Sequence, residues 1–178
     1  MSQMCEYHNA MLDESVAYGC IFCRSGSEDR IIRELKSSRP EMVCISPKRV
    51  RIRRQGEKEL ATLFPGYIFF RSSATVDFRT MLQRDEIYRL LQYPSGDWKL
   101  RGSDLLIAVF MFDLGGIVGL SKARFDGNGI RILSGPLKEY ENSITKLDKR
   151  AKTAQVTIHF HGMELIMWFG FEIDDDNT

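Results

Sequence analysis

The chain has 178 residues, 43% of them hydrophobic and 28% charged, with a formal net charge of +1. This is an ordinary folded composition with room for one large or two small domains. A charge this near neutrality excludes nucleic-acid binding by bulk charge and leaves it only to local basic patches.

Residues 1–17 are polar and without period, and read as a flexible N-terminus lacking a signal peptide. Tyr18 to Arg24 reads as the first strand. Its Cys20-Ile21-Phe22-Cys23 is a CxxC, but residues three apart on a strand point to opposite faces and cannot grip one metal. No second CxxC exists, so no metal is expected. Cys5, Cys20, Cys23 and Cys44 read as reduced thiols of a cytoplasmic protein. Ser25-Gly26-Ser27-Glu28 has capping-box spacing, with Ser25 at the N-cap. Ile31, Ile32 and Leu35 then predict an amphipathic helix over 27–38, ended by Pro40.

Met42 to Ile45 predicts a short strand. Arg49, Arg51 and Arg53 then alternate with Val50 and Ile52, which gives a strand with one cationic face, and Gln55-Gly56 suits a hairpin turn. Leu63-Phe64-Pro65-Gly66 places a Pro-Gly turn before the aromatic strand Tyr67-Ile68-Phe69-Phe70. Tyr67 and Phe69 share one face and Ile68 and Phe70 the other, so both faces need cover. Thr75 to Leu91 reads as mostly helical, with 85–88 open to a loop and short strand. Ser103 is placed to cap a helix through Leu105–Phe112, which is too short to span a bilayer. Strands and helices in this order predict an α+β domain, an antiparallel sheet with flanking helices.

Gly115-Gly116-Ile117-Val118-Gly119 interrupts the pattern and lacks the GxGxxG spacing of a nucleotide loop. Beyond it the signal is all β. Asp126-Gly127-Asn128-Gly129 is a hairpin turn, and strands are predicted at 130–133, 142–148, 155–160 and 165–171. This suggests a small barrel. The expected division is a domain over 18–113, a linker at 114–122, a barrel over 123–173 and an acidic tail at 174–178. His159-Phe160-His161 puts two imidazoles on one strand face, but no cysteine or carboxylate pattern completes a metal site. With no paired carboxylates, Ser-His-Asp set or phosphate loop, neither an enzyme nor a cofactor is expected.

Leu63-Phe64-Pro65-Gly66-Tyr67 resembles the signature of the NusG N-terminal (NGN) domain, and Gly26-x-Glu28 opens the first helix as in that family. Gly135-Pro136-Leu137, Tyr140-Glu141, Ile144 and Val156 resemble the KOW motif of the family's C-terminal SH3-like barrel. The resemblance spans roughly residues 18–173. The chain departs from the pattern at Tyr18-Gly19, where the family has Trp-Tyr, and at Asn142, where it has glycine. These departures point to a specialised paralogue, and the Gly-Pro-Leu-x-x-Tyr-Glu wording is most similar to LoaP-type antiterminators.

The resemblance implies a transcription elongation or antitermination factor whose N-terminal domain binds the RNA polymerase clamp region through Phe22, Phe64, Tyr67 and Phe69. The same rings also fit a plain core. Lys48, Arg49, Arg51, Arg53 and Arg54 would lie beside upstream or non-template DNA, or form a solvated hairpin. Lys138, Lys146, Lys149, Arg150 and Lys152 surround the barrel turns and suit nascent RNA, a ribosomal protein or no partner. A monomer without membrane contact is expected. The alternative is a KOW-bearing RNA-binding module that works with the ribosome and never engages polymerase.

Overall fold

The computed structural model describes residues 15–53, 56–79, 81–126 and 129–174. They divide into two compact units. The first takes the chain up to Pro47, Phe64–Gly116 and Phe160–Gly162; the second takes Lys48–Leu63, Ile117–His159 and Met163 onward. The basic hairpin thus groups with the C-terminal strands, and a three-residue tip from those strands groups with the first unit. The sequence-based division at 114–122 anticipates neither exchange. Ile117–Val118 is itself a short strand, and the next strand already begins at Ser121.

In the first unit, β1 (Ala17–Cys23) is followed by α1 (Glu28–Ser38) and β2 (Met42–Ile45). β1 pairs antiparallel with the later strands β5 (Tyr67–Ser72) and β6 (Ile87–Leu90), giving the order β2-β5-β1-β6. Ile31 and Leu35, one helical turn apart, bury against Ile21, Ile68 and Phe70. Helix α2 (Gly102–Asp113) packs Phe112 edge-on against Tyr18 at 5.5 Å between centroids. Tyr18 pairs with Arg71, whose guanidinium lies over the same Phe112 ring at 5.1 Å. Partners in an antiparallel ladder share a face. One helix therefore covers the Ile68/Phe70 face, and the other begins to cover the Tyr67/Phe69 face.

Local readings shift in three places. Ser27, not Ser25, is the N-cap of α1, and it makes no side-chain capping bond. Glu28 does reach back, accepting the Gly26 N–H at 2.7 Å. Helix α2 begins at Gly102, so Ser103 sits inside it and not at its cap. The stretch 81–86 is a series of turns leading to β6, not the body of a helix. The Leu82 N–H reaches the Phe78 carbonyl at 3.0 Å, one helical bond that does not propagate. The Asp77 carboxylate accepts the Arg79 N–H at 3.0 Å, a local bond that competes with helix, while Val76 and Met81 reach the core directly.

In the second unit, β3 (Lys48–Ile52) pairs antiparallel with β4 (Lys58–Thr62) and parallel with β7 (Ile117–Val118). Arg54 and Gln55 of the turn lie outside the described residues; Gly56 N–H bonds the Arg53 carbonyl at 2.9 Å. β8 (Ser121–Asp126), β9 (Gly129–Ser134), β10 (Ile144–Asp148), β11 (Thr153–Phe160) and β12 (Met163–Ile173) form a sheet ordered β10-β11-β12-β8-β9. Its core includes Ile132, Leu137, Val156, Phe169 and Phe171. Asp126 pairs with Gly129, while Gly127 and Asn128 lie outside the described residues. The strand expected from Asn142 begins two residues later because Pro136–Ser143 forms a 3₁₀ helix. That helix is pinned by Leu137 N–H to Ser121 Oγ at 2.9 Å and by the Glu141 carboxylate, which accepts Ile132 N–H at 2.6 Å. Asp174 extends β12, donating its N–H to Ala123 at 2.9 Å; the remaining acidic tail lies outside the described residues. The fold is thus α+β with a C-terminal β domain, as the order of elements suggested.

No helix among the described residues is long and apolar enough to cross a membrane. Burial raises the thiols of Cys20 and Cys44, the latter to about 12, and that of Cys23 to about 11. Cys5 lies outside the described residues.

Candidate functional site

Two surfaces carry the residues singled out in the sequence, one in each unit. In the first unit the turn Phe64-Pro65-Gly66 ends in Gly66 at φ 85°, a conformation that glycine adopts without strain. An added Cβ there would also lie 2.9 Å from the Cys23 carbonyl oxygen. The Gly66 N–H donates to the second oxygen of Glu28 at 2.6 Å, and the Gly66 carbonyl accepts the Cys23 N–H at 2.8 Å. One carboxylate therefore ties the start of α1 to the turn, and the turn to the end of β1. This fixes where Tyr67 emerges.

Phe22 and Tyr67 are register partners, half-buried, with ring centroids 5.1 Å apart. Tyr88, 55% exposed, adds a third ring 5.5 Å from Phe22, and the Arg89 guanidinium lies over Phe22 at 5.7 Å. Phe64 and Phe69 are placed differently. They are 3% and 0% exposed, and Phe160 closes over Phe69 at 5.3 Å. Within the first unit, then, the Tyr67/Phe69 face grades from covered at Phe69 to open at Phe22, Tyr67 and Tyr88. The sequence leaves 85–88 open to a loop and short strand but gives that strand no neighbour, so nothing in it places Tyr88 beside Phe22.

The same tip carries His161. It leaves the strand at φ 51° and stacks on Tyr93 at 4.8 Å, while its N–H bonds the buried Asp104 carboxylate at 2.9 Å. His159 is exposed in β11. The two imidazoles are not neighbours on one strand face, because the strand ends between them. Among the described residues no group of three or more His, Cys, Asp or Glu could hold a metal.

In the second unit a cleft of about 760 Å³ is lined by Arg49, Arg51 and Arg53 on one side and by Arg150 and Lys152 on the other, with Trp168 between. Two carboxylates, Glu59 and Asp148, also line it. Glu59 stands opposite Arg51 in the hairpin register and pairs with both Arg51 and Arg53. Arg49 has Ala61 opposite and no such counter-charge. Its Nη1 is buried with no hydrogen-bond partner among the described residues. Burial, and then the nearby Arg51 charge, lower its pKa from the usual value.

The opposite wall is fixed by the turn after β10. Asp148 Oδ1 accepts the Ala151 N–H at 2.8 Å, and the Lys152 carbonyl accepts the Phe171 N–H at 2.9 Å, with Lys152 held at φ 51°. Trp168 alternates with buried Met167 and Phe169 on β12, and so faces away from the sheet core. Gly170 shares that face. A Cβ on it would sit 2.7 Å from the Val50 carbonyl oxygen, so its missing side chain is what lets β3 pass this close to β12. Neither Trp168 nor Gly170 was singled out in the sequence; the signal was an aromatic and a glycine two apart on an otherwise bulky strand.

The remaining basic candidates lie elsewhere. Lys149 caps the Phe125 ring at 4.2 Å, Lys138 pairs with Glu141 at 2.6 Å, and neither these nor Lys48 and Lys146 line the cleft.

The family model described as transcription termination factor nusG matches residues 18–101. Over those residues the chain is similar to the NusG family. The NusG match contains the aromatic cluster, the Gly66 turn and the hairpin arginines; Arg150, Lys152 and Trp168 lie beyond it. A solved structure described as domain interaction in Thermotoga maritima NusG is similar over 87% of this chain and 93% of that one, with a TM-score of 0.50 and 16% identity. At that identity it supports the fold alone. Nothing among the curated proteins matches.

Proposed function

We propose that this chain is a transcription elongation factor of the NusG type, specialised for antitermination, that binds RNA polymerase through its first unit. The observation that carries the reading is the NusG match over 18–101 together with the open aromatic cluster of Phe22, Tyr67 and Tyr88. Partly exposed rings held on paired strands suit a helical partner surface, where a central aromatic contributes most. Phe64 and Phe69 support that cluster from beneath. The C-terminal sheet serves as a KOW-type module, and the basic cleft meets nucleic acid. The protein works in the cytoplasm as a monomer and without enzymatic chemistry of its own.

Burial of Phe64 and Phe69 favours a second reading, a ribosome-associated RNA-binding module, because it removes two of the four expected contact rings from the surface. Co-sedimentation of the purified chain with core RNA polymerase separates the two. Binding is expected, and Tyr67→Ala is expected to weaken it by roughly 30-fold, the equivalent of about 2 kcal/mol at a central aromatic. Unchanged affinity of Tyr67→Ala removes the aromatic cluster from the interface. Absence of binding by the unaltered chain rejects the polymerase reading.

A further inference from the structure

The cleft brings together cations that the sequence places about a hundred residues apart, and its composition is specific. Five cationic side chains face it against two carboxylates, in a chain whose net charge is only +1. Glu59 satisfies Arg51 and Arg53, and the Asp148 carboxylate accepts from the backbone of its own turn. Burial and the nearby Arg51 charge both disfavour the charge of Arg49, which keeps a buried N–H with no acceptor among the described residues. An incoming anionic oxygen beside the guanidinium would offset the cost of holding that charge there. Trp168 supplies a different chemistry. It is half-buried and lines the same cleft as the cations, and among the described residues no ring or cation stacks on it.

Guanidiniums for phosphate, beside a flat ring with a free face, are the two parts of a single-strand platform. A paired duplex keeps its base faces covered by neighbouring bases, so only an unpaired base can stack on the indole. We propose that this cleft binds single-stranded nucleic acid, one base stacked on Trp168 and the flanking phosphates held by Arg49, Arg150 and Lys152. The walls are preformed. Gly170 sets the close approach of β3, and the bond from Phe171 N–H to the Lys152 carbonyl fixes the opposite turn, so little ordering is lost on binding. The proposal deepens the nucleic-acid half of the reading above and rests on it, but not on polymerase binding.

The test is a titration of the full chain with rU6, dT6 and a blunt duplex of equal charge, read by tryptophan fluorescence and anisotropy at several salt concentrations. Both single strands should quench the fluorescence and the duplex should bind more weakly. Trp168→Phe should lose the quenching while keeping most of the affinity. Trp168→Ala should weaken binding about tenfold or more with an unaltered salt slope. Arg49→Gln and Arg150→Gln should each flatten the log–log salt slope by about 0.7. A preference for rU6 over dT6 identifies RNA as the source of the strand, and the reverse identifies DNA. Duplex binding equal to or tighter than the single strands, or single-strand affinity indifferent to Trp168→Ala, overturns the proposal. If the strands bind as described and polymerase does not co-sediment, the cleft stands and the polymerase reading alone falls.

Discussion

Replacing Glu28 with alanine is expected to destabilise the first unit by about 2–4 kcal/mol, because two backbone N–H groups lose a charged acceptor together. The side chain is 5% exposed and accepts Gly66 N–H at 2.6 Å and Gly26 N–H at 2.7 Å. Water cannot easily replace it at Gly66, where the bond is buried. Nor can the turn relax freely, since Gly66 also accepts the Cys23 N–H and lies within 3 Å of Cβ contact with that residue's carbonyl. Urea denaturation should show a lower midpoint with an unchanged slope. Glu28→Gln keeps one acceptor oxygen and should cost less than half as much. Equal stability of Glu28→Ala and the unaltered chain would mean that the turn is held by packing alone. The same substitution should loosen Tyr67, one residue beyond Gly66, so polymerase affinity should fall with stability.

Replacing Gly170 with valine is expected to disrupt the cleft from behind. The Cβ alone would come within 2.5 Å of a Leu120 methyl and 2.7 Å of the Val50 carbonyl oxygen. The methyl group could turn aside, but the strand backbone cannot. β3 must therefore lift off β12, carrying Arg49 and Arg51 away from Trp168. Overpacking of this kind costs about 1–3 kcal/mol, and single-strand binding should drop at least as far as in Trp168→Ala. Gly170→Ala should show the same defect in milder form. A Gly170→Val chain that melts earlier but binds single strands as before would show that the hairpin and the indole act independently.

Much of the fold was legible because local patterns and tertiary needs agree. Ile31 and Leu35 had helical spacing and found one buried face; Val50 and Ile52 alternated with arginines and lie in a strand. The turn at Gly66 followed from a residue type that suits its backbone, and Asp126 pairs with Gly129 as a hairpin requires. Legibility failed where long-range packing decided. Val76, Phe78 and Met81 read as part of one helix, yet they reach the core from irregular backbone and a turn, with the Asp77 carboxylate satisfying one backbone N–H locally. The site was half legible for the same reason. Arg49–Arg53 and Arg150–Lys152 each read as a basic patch, but their meeting depends on Gly170, whose role is the absence of a side chain. Periodicity carries no signal for that. Phe69 read equally well as core or as contact, and its burial depends on Phe160, ninety-one residues away.

The central claim is that the chain acts on elongating RNA polymerase. The most direct test is a single-round transcription assay on a template with a defined pause, comparing the unaltered chain with Tyr67→Ala at equal concentration. The account predicts that the unaltered chain shortens the pause half-life and that Tyr67→Ala has a much weaker effect. A pause half-life that the unaltered chain leaves unchanged or lengthens, at concentrations that saturate polymerase, would contradict it.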